Sequence, residues 1–572
     1  MNNSKGIKNI PDLCFKHELN HVVISPGSRN APLILSFVNY PNIKCYSIPD
    51  ERSAGYFALG LSIYLNKPVG VVCTSGTAVL NLSPSIAEAY YQNIPLVIFT
   101  ADRPPEWLDQ EDGQTINQSN VYNNFIKKFF SYPVNIVDDE DLWYANRIIS
   151  TAIEEAKLFP RGPVHINIPL KEPLYGNLYI NKNTIIEKTI KIEIPDIKIN
   201  ENYIEYLKKE LNSFKKIMIV SGFSNENQIL NQQLIKINQK KQAIVVAENI
   251  SNLKFSGFIS TPESLFTLLD IIPNKFYPDL LITINNSVVS KKMKQFFRNQ
   301  KNIEHWRINS SLLFSDTYKH LHKEIRILPE IFFELFSNNF LSDTVTNEYF
   351  EKITFINNII QNFNTKFFNE IEFSDIKSIY FILKNLPNNS TVFFSNSTPI
   401  RYSQLISART DLSYFCNRGT SGIDGCISTA LGYSVLSENN TFIITGDISF
   451  VYDSNALWNK FKKPKIIIIN NEGGNIFRLI QKYDDYYNVK DYFETYVNVN
   501  FNELAKAFGI KNYFFCDNFE LLKSSFYDFL KTDGCAIFEI KTSPDINYKV
   551  YNEYFKKLIE YGKNYLDNNK KL

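Results

Sequence analysis

Two short runs decide how this chain folds: Phe442-Ile443-Ile444-Thr445-Gly446-Asp447-Ile448-Ser449 and, one helical length later, Ile466-Ile467-Ile468-Ile469-Asn470-Asn471-Glu472-Gly473-Gly474. Each is β-branched and apolar throughout, too short for a helix, and closed by Gly, Asp or Asn. A strand that is apolar on both faces belongs in a parallel sheet covered by helices on both sides. Outward from this pair the pattern recurs as Val22–Gly27, Val71–Gly76, Leu96–Thr100, Ile217–Gly222 and Leu281–Asn285. The expectation is an α/β protein of doubly wound, mostly parallel sheets. In such sheets ligands bind at the carboxyl ends of strands, where these Gly, Ser, Asn and Asp turns fall.

At about 150 residues per domain, 572 residues predict three to four domains. Polar, Lys-rich stretches near Asn181–Asn200 and Asn338–Asn364 predict boundaries, giving blocks at 1–180, 195–335 and 365–572. The end, Asp567–Leu572, reads as a solvated tail. The first and third blocks echo each other. A strand running into Thr74-Ser75-Gly76-Thr77, a helix with Ala87 and Ala89, and Pro95 opening the next strand match Thr445-Gly446-Asp447-Ile448, Ala456 and Pro464. The echo fits a duplicated nucleotide-binding-like domain, and equally the ordinary recurrence of strand–helix–strand units.

Composition excludes several function classes. Hydrophobic residues at 44% and charged residues at 21% suit packed cores and not a disordered chain. Lys+Arg 61 against Asp+Glu 59 leaves +2, so no global basic field points to nucleic acid or to an anionic membrane. An anionic ligand would need local positive charge. Seven cysteines, sparse and odd in number, suit buried small apolar positions in a reducing compartment. The start, Met1-Asn2-Asn3-Ser4-Lys5, has no apolar signal core, and no run approaches the roughly 20 apolar residues of a membrane helix. A cytoplasmic protein without membrane insertion is expected. The six histidines are scattered, and no Walker A, Gly-x-Ser-x-Gly, Cys-x-x-Cys or Gly-x-Gly-x-x-Gly motif occurs.

Chemistry concentrates at the opening pair. Asn471 lies 24 positions beyond Asp447, each at the end of its strand. A carboxylate, a neighbouring amide and a free backbone carbonyl bring three oxygens to one point, which suits Mg²⁺ completing its shell with phosphate oxygens. Gly446, Gly473 and Gly474 allow close backbone approach to a diphosphate, and Ser449 at a helix start can donate to it. In the first block, Asp50-Glu51 stands at a strand-to-helix junction. Either acid can cap the helix, or one can lie against a ring nitrogen of a ligand.

Gly446-Asp447-Ile448 followed by Asn470-Asn471 resembles the metal–diphosphate signature of thiamine-diphosphate enzymes, with Ile448 where a third small residue, Gly, is usual. Four further motifs follow in order: Ser25-Pro26-Gly27-Ser28-Arg29-Asn30, Thr74-Ser75-Gly76-Thr77, Thr100-Ala101-Asp102-Arg103-Pro104-Pro105-Glu106 and Asn417-Arg418-Gly419-Thr420-Ser421-Gly422-Ile423-Asp424-Gly425. Together they resemble the family of 2-succinyl-5-enolpyruvyl-6-hydroxy-3-cyclohexene-1-carboxylate synthases of menaquinone biosynthesis, most closely in the first and third blocks.

The resemblance implies a three-domain thiamine-diphosphate-binding fold: a pyrimidine-binding-type first block, a central block and a diphosphate-binding-type third. The implied assembly is a homodimer or homotetramer. It implies decarboxylation of 2-oxoglutarate and 1,4-addition of the succinyl unit to isochorismate, with thiamine diphosphate on Mg²⁺ or Mn²⁺. Asp447, Asn471 and the Gly473 carbonyl would hold the metal. Gly446, Ile448, Ser449, Gly474, Ile476 and Ile423 would line the cofactor, Ile423 supporting its bent form. Glu51, preferred to Asp50, would serve the pyrimidine and join Gln114 as catalytic.

Two dicarboxylates need a focused cationic pocket, and Arg29, Arg103, Arg401 and Arg418 stand in or beside these motifs. The alternative for any one of them is a surface ion-pair partner. Ser28, Gln114 and Ser397 add neutral donors. Phe477 and Ile480, with Ile476, would form an apolar wall over the reacting carbon or, equally, be core residues of their helix. Lys291-Lys292 falls where the family has Lys-Arg, and Lys292 lacks the planar fork of arginine. The rival readings are an acetolactate-synthase-like carboligase, a catalytically silent cofactor-binding scaffold and a cofactor-free α/β binding protein.

Overall fold

The computed structural model of the chain describes residues 3–175, 189–193, 199–272, 276–309, 314–339, 347–461, 464–480 and 490–568. Every apolar run quoted above forms a strand. The first sheet contains β1 (His21–Ile24), β2 (Lys44–Ser47), β3 (Val69–Cys73), β4 (Leu96–Asp102), β5 (Lys128–Ser131) and β6 (Val164–Pro169). The central sheet contains β7 (Ile217–Ser221), β8 (Ile244–Ala247), β9 (Leu280–Ile284), β10 (Glu304–Ile308) and β11 (Leu321–Ile325). The third contains β12 (Thr391–Phe394), β13 (Ser413–Cys416), β14 (Thr441–Gly446), β15 (Lys465–Asn470), β16 (Asn512–Cys516) and β17 (Ala536–Lys541).

All pairings between these strands are parallel, as double-sided burial requires. The orders are β2-β1-β3-β4-β6-β5, β11-β10-β9-β7-β8 and β13-β12-β14-β15-β17-β16. Counted from its own first strand, the third sheet repeats the first sheet's order throughout. The likeness reaches single bonds: the Ser25 N–H donates to the Val72 carbonyl and the Ser395 N–H to the Ile444 carbonyl, both at 2.9 Å. The echo therefore extends to a whole sheet topology and is more than one recurring unit.

The chain divides into two compact units. The first is Met1–Pro195 with Asn417–Glu438 and Tyr452–Lys463; the second is Asp196–Cys416, Asn439–Val451 and Pro464–Leu572. In the first, Ile7, Leu13, Leu33, Phe37, Ile149 and Ile153 are among the residues that form one core on the first sheet. In the second, one core runs continuously from the central sheet, through Met218 and Leu281, to Ile444 and Ile467 of the third.

The polar stretch near Asn338–Asn364, expected above to be a boundary, is largely helical from Glu348 to Glu370. Ile353, Ile356, Ile360, Phe363 and Phe367 recur every three or four residues and are buried. Polarity averaged over both faces conceals this amphipathic stripe. Residues 340–346 of that stretch, 181–188 and 194–198 of the other, and 569–572 of the tail lie outside the described residues. The seven cysteines are all unbridged, and Cys14, Cys73, Cys416, Cys426 and Cys516 are buried.

Within the first unit, the helix Glu51–Leu65 lies against the helix Cys426–Ser434 at backbone distance. A Cβ on Gly60 would stand 1.9 Å from the Thr429 carbonyl oxygen, and one on Gly432 would stand 2.0 Å from that of Phe57. Neither neighbour is a side chain that can swing aside. Gly60→Ala should therefore destabilise the protein by about 1–3 kcal/mol through overpacking. Gly113→Ala, where a Cβ meets nothing within 4 Å, should be close to neutral. Thermal unfolding of the two variants beside the parent checks the contrast.

Candidate functional site

Most residues nominated from the sequence lie in the segments that follow the carboxyl ends of strands, the edge at which open α/β sheets bind ligands.

In the second unit, β14 ends at Gly446 and a helix begins at once with Asp447, whose side chain is buried. Asp447 Oδ2 accepts from the Gly473 N–H at 2.8 Å and Oδ1 from the Ile448 N–H at 2.7 Å. Asn471 is buried beside it, its Nδ2 donating to Asp375 Oδ2 at 2.6 Å. No donor of the described residues reaches Asn471 Oδ1. Gly473 holds φ +131, a conformation that favours glycine, and its carbonyl accepts one N–H, from Asn475 at 2.9 Å, leaving a second lone pair. A Cβ on Gly446 would meet nothing within 4 Å, so no protein neighbour accounts for the glycine there. Ser449 is buried and Ile448 half-buried on the same short helix.

The electrostatics point the same way. Burial, with the negative charge of Asp375 in addition, pushes the Asp447 carboxyl up to about 7. Burial pushes Asp375 up to about 6, although Thr542, Asn471 and Asn547 all donate to it. Among the described residues no Lys, Arg or His forms an ion pair with either acid. Among the described residues, the buried Asp447 carboxylate without a cation, an amide oxygen without a donor and a spare carbonyl lone pair are a fitting donor set for a small hard cation, with Asp375 behind the amide. The open space at Gly446 suits the phosphates such a cation would bridge.

Around this point the same unit gathers other nominated residues. The Gly446 N–H donates to Ser395 Oγ at 3.2 Å, tying the end of β12 to that of β14. Two residues later Ser397 takes φ 80, ψ −133, which is strained for a side-chain-bearing residue and costs about 1–3 kcal/mol. Gly76 in the first sheet has nearly the same angles, φ 81, ψ −140. Ser397 starts the helix that carries Arg401. Glu263 accepts from the Lys291 N–H at 2.8 Å and the Lys292 N–H at 3.3 Å, and its environment includes the charge of Arg401. Lys291 is pushed below the ordinary lysine value by burial and by Arg401, so these two cations share one neighbourhood. Lys292 lines a separate cavity of about 210 Å³ with Phe266, Asp270 and Gln295. Phe477 is 37% exposed and packs on Phe493, and Ile476 is half-buried, so neither is a core residue of its helix. The side chain of Ile480, which ends that helix, lies outside the described residues.

In the first unit Asp50 and Glu51 differ in what they touch. Asp50 is the cap, accepting from the Ser53 N–H at 3.0 Å, and it also accepts from Asn455 at 2.8 Å. Glu51 is left half-buried with one long contact, Asn81 Nδ2 at 3.4 Å. Arg29 is buried, donating to the Leu170 carbonyl at 3.0 Å with Glu172 at 3.6 Å, while Ser28 is exposed. Arg103 pairs with Asp112 and donates to the Gly113 carbonyl at 2.7 Å. That brings it to Gln114, an exposed residue at φ 59 whose carbonyl accepts from Ser75 Oγ at 2.9 Å. Arg418 and Ile423, both half-buried, sit in the loop before the helix Cys426–Ser434. This loop belongs to the first unit, not with Asp447.

Several residues that hold the site were missed by sequence reasoning. Glu88 is buried between Ala87 and Ala89 and accepts from the Gly419 and Thr420 N–H groups, both at 2.7 Å, fixing the Arg418 loop. Asp424 accepts from the Tyr56 hydroxyl at 2.7 Å. Gln118 accepts from the Gly76 N–H at 3.0 Å and donates to Asn167 at 2.8 Å, and Asn167 donates to Asp102 at 2.7 Å. A charge amid small apolar residues was the only available signal, and only for Glu88.

Comparison with known proteins matches both ends. Residues 5–121 match the thiamine pyrophosphate enzyme N-terminal TPP-binding domain, and residues 397–540 match the corresponding C-terminal TPP-binding domain. Three similar proteins carry the name 2-succinyl-5-enolpyruvyl-6-hydroxy-3-cyclohexene-1-carboxylate synthase. That of Flavobacterium johnsoniae is 39% identical, over 96% of this chain and 98% of its own. That of Cytophaga hutchinsonii is 34% identical, over 97% and 99%. That of Porphyromonas gingivalis is 36% identical, over 96% of each. Likeness of this extent along nearly the whole of both chains makes the protein a thiamine-diphosphate enzyme of the 2-succinyl-5-enolpyruvyl-6-hydroxy-3-cyclohexene-1-carboxylate synthase family.

Proposed function

We propose that this enzyme decarboxylates 2-oxoglutarate and adds the remaining succinyl unit to isochorismate, with thiamine diphosphate held on Mg²⁺ or Mn²⁺. What supports the reading is the second unit's donor set: among the described residues, Asp447 is buried without a cationic partner, Asn471 Oδ1 has no donor, and the Gly473 carbonyl has a lone pair to spare. When bound, the cofactor supplies the thiazolium carbon that takes the 2-oxo carbonyl and serves as electron sink for loss of CO₂.

The remaining work falls to side chains of this chain. Asp447, Asn471 and the Gly473 carbonyl ligate the cation, and Gly446, Ile448, Ser449, Gly474, Ile476 and Ile423 line the cofactor. Glu51, relieved of capping by Asp50, holds a proton at the pyrimidine N1′. Gln114 and Ser28 position substrate by neutral hydrogen bonds. Ser397, Arg401 and Lys291 bind one carboxylate-bearing substrate and Arg29, Arg103 and Arg418 the other, with Lys292 at most peripheral. Phe477, exposed on its helix, shields the reacting carbon from water together with Ile480.

In this reading 1–180 is the pyrimidine-binding-type block, 195–335 the central one and 365–572 the diphosphate-binding type. The working assembly is a homodimer or homotetramer in the cytoplasm, and no helix among the described residues is long and apolar enough to cross a membrane.

Mass analysis of products from 2-oxoglutarate and isochorismate, with thiamine diphosphate and Mg²⁺ supplied, tests the proposal. The expected product is the cyclohexene carboxylate named by the family; no such product here, with acetolactate formed in a parallel reaction supplied with pyruvate, would replace this reading with the rival carboligase.

Glu51→Gln should still bind the cofactor but slow hydrogen–deuterium exchange at its thiazolium carbon by roughly 10²–10⁴, because an amide cannot exchange a proton with N1′. Nuclear magnetic resonance of quenched exchange samples reads the rate directly.

A pH effect follows from the buried acids. Without the cation, Asp447 and Asp375 titrate at about 7 and about 6, so the folded chain keeps protons that the unfolded chain releases near 4. Stability of the cation-free protein should thus fall as pH rises from about 4 through 7. Buried Asp453, also at about 7, adds to the same slope. Thermal midpoints across this range in EDTA should decline with pH, and Mg²⁺ with thiamine diphosphate should flatten the decline.

A further inference from the structure

Asn471 can ligate a cation only if its amide is turned one way, since oxygen ligates and the NH₂ group does not. At the end of a strand a free asparagine side chain has no reason to prefer that flip. Here the decision is made 96 residues earlier, by Asp375 at the start of the helix Asp375–Asn385.

Asp375 is fully buried, and among the described residues three donors hold its carboxylate. Its Oδ2 receives Asn471 Nδ2 at 2.6 Å; its Oδ1 receives Thr542 Oγ1 at 2.5 Å and Asn547 Nδ2 at 3.0 Å. The flip of Asn547 is set independently, because its Oδ1 accepts the Asp375 N–H at 2.8 Å. The carboxylate is thus clamped from the end of β17 and from the C-terminal helix, and its remaining oxygen presents only an acceptor to Asn471. The backbone of the same residue is held too, its carbonyl accepting from Asn475 Nδ2 at 2.5 Å.

We propose that Asp375 is a positioning residue for the cation site: by accepting the Asn471 NH₂ it aims Asn471 Oδ1 at the metal. The inference rests on the reading of Asp447, Asn471 and Gly473 as metal ligands. It assigns to a buried acid, which touches neither metal nor substrate, the orientation of one ligand. Partners of this kind behind a ligand typically tune metal affinity by about 10–100-fold.

The exchange Asp375→Asn makes the test sharp. Thr542 and Asn547 both donate on one side, so the new amide must turn its oxygen to them and its NH₂ to residue 471. Asn471 must then flip to accept, leaving its own NH₂ facing the cation. Adding Asn471→Asp relieves the conflict, because one carboxylate oxygen can accept from Asn at 375 while the other ligates.

Calorimetric titration of thiamine diphosphate into the full-length apoprotein at stepped Mg²⁺ concentrations reads the outcome, with apoprotein thermal midpoints as a folding control. Asp375→Asn should need about 10–100-fold more Mg²⁺. The double variant should return toward the parent requirement, which a merely structural role for Asp375 would not produce. An unchanged requirement in the single variant, or a double variant as weak as the single, overturns the inference. If the single variant does not fold, the double variant decides by the same criterion. Asp447→Ala separates the layers: if it leaves the Mg²⁺ requirement unchanged, the metal reading itself fails; if it abolishes Mg²⁺-dependent binding while Asp375→Asn does not weaken it, only the orienting role fails.

Discussion

When the Gly473 N–H donates to Asp447 across 2.8 Å, the turns leaving β14 and β15 are locked to each other, and with them the oxygens of Asp447, Asn471 and Gly473. Adjacent parallel strands run in register from Phe442–Lys465 to Gly446–Ile469, so both chains reach the sheet edge together. The bond converts that register into chemistry: it sets a carboxylate beside the next turn's amide and carbonyl, oxygens of the kind a small hard cation takes. Its cost is the desolvation of Asp447, visible in the raised affinity of that acid for a proton. A bound divalent ion would offset that cost, so the folding of this edge and the loading of the site are parts of one equilibrium.

Charge is organised locally. The chain carries only +2, yet Arg29, Arg103, Arg401 and Lys291 stand at strand ends. None is a bare cation waiting in water. Arg29 leans on Leu170 and Glu172, Arg103 on Asp112, and the Arg401–Lys291 neighbourhood on Glu263. Such acids and carbonyls offset the repulsion between like charges brought close together.

Much of this was legible in the sequence, for reasons that can be named. β-branched runs such as Ile466–Ile469 have one comfortable environment, and the spacing of Asp447 and Asn471 follows from the length of one strand–helix–strand unit. The site's supports were not legible. Asp375 lies 96 residues from the amide it holds and Glu88 331 from the Gly419 N–H it accepts, and a single acid at such range leaves no local pattern. The helix Glu348–Glu370 was obscured by counting lysines and asparagines without regard to the face they occupy. The grouping of Asn417–Glu438 with the first unit is likewise a property of packing that no run of residues announces.

The close approach of Gly60 and Gly432 has a mechanical corollary. Two helices that meet carbonyl against α-carbon at both glycines have no slack at those two points to shift against each other. One begins at Glu51 and the other follows directly on the loop bearing Arg418. Glu51 and that arginine loop are therefore mounted on one chassis. Any displacement of Arg418 relative to Glu51 has to be taken up by the few residues of the Asn417–Gly425 loop, where Glu88 and Tyr56 act as the stops.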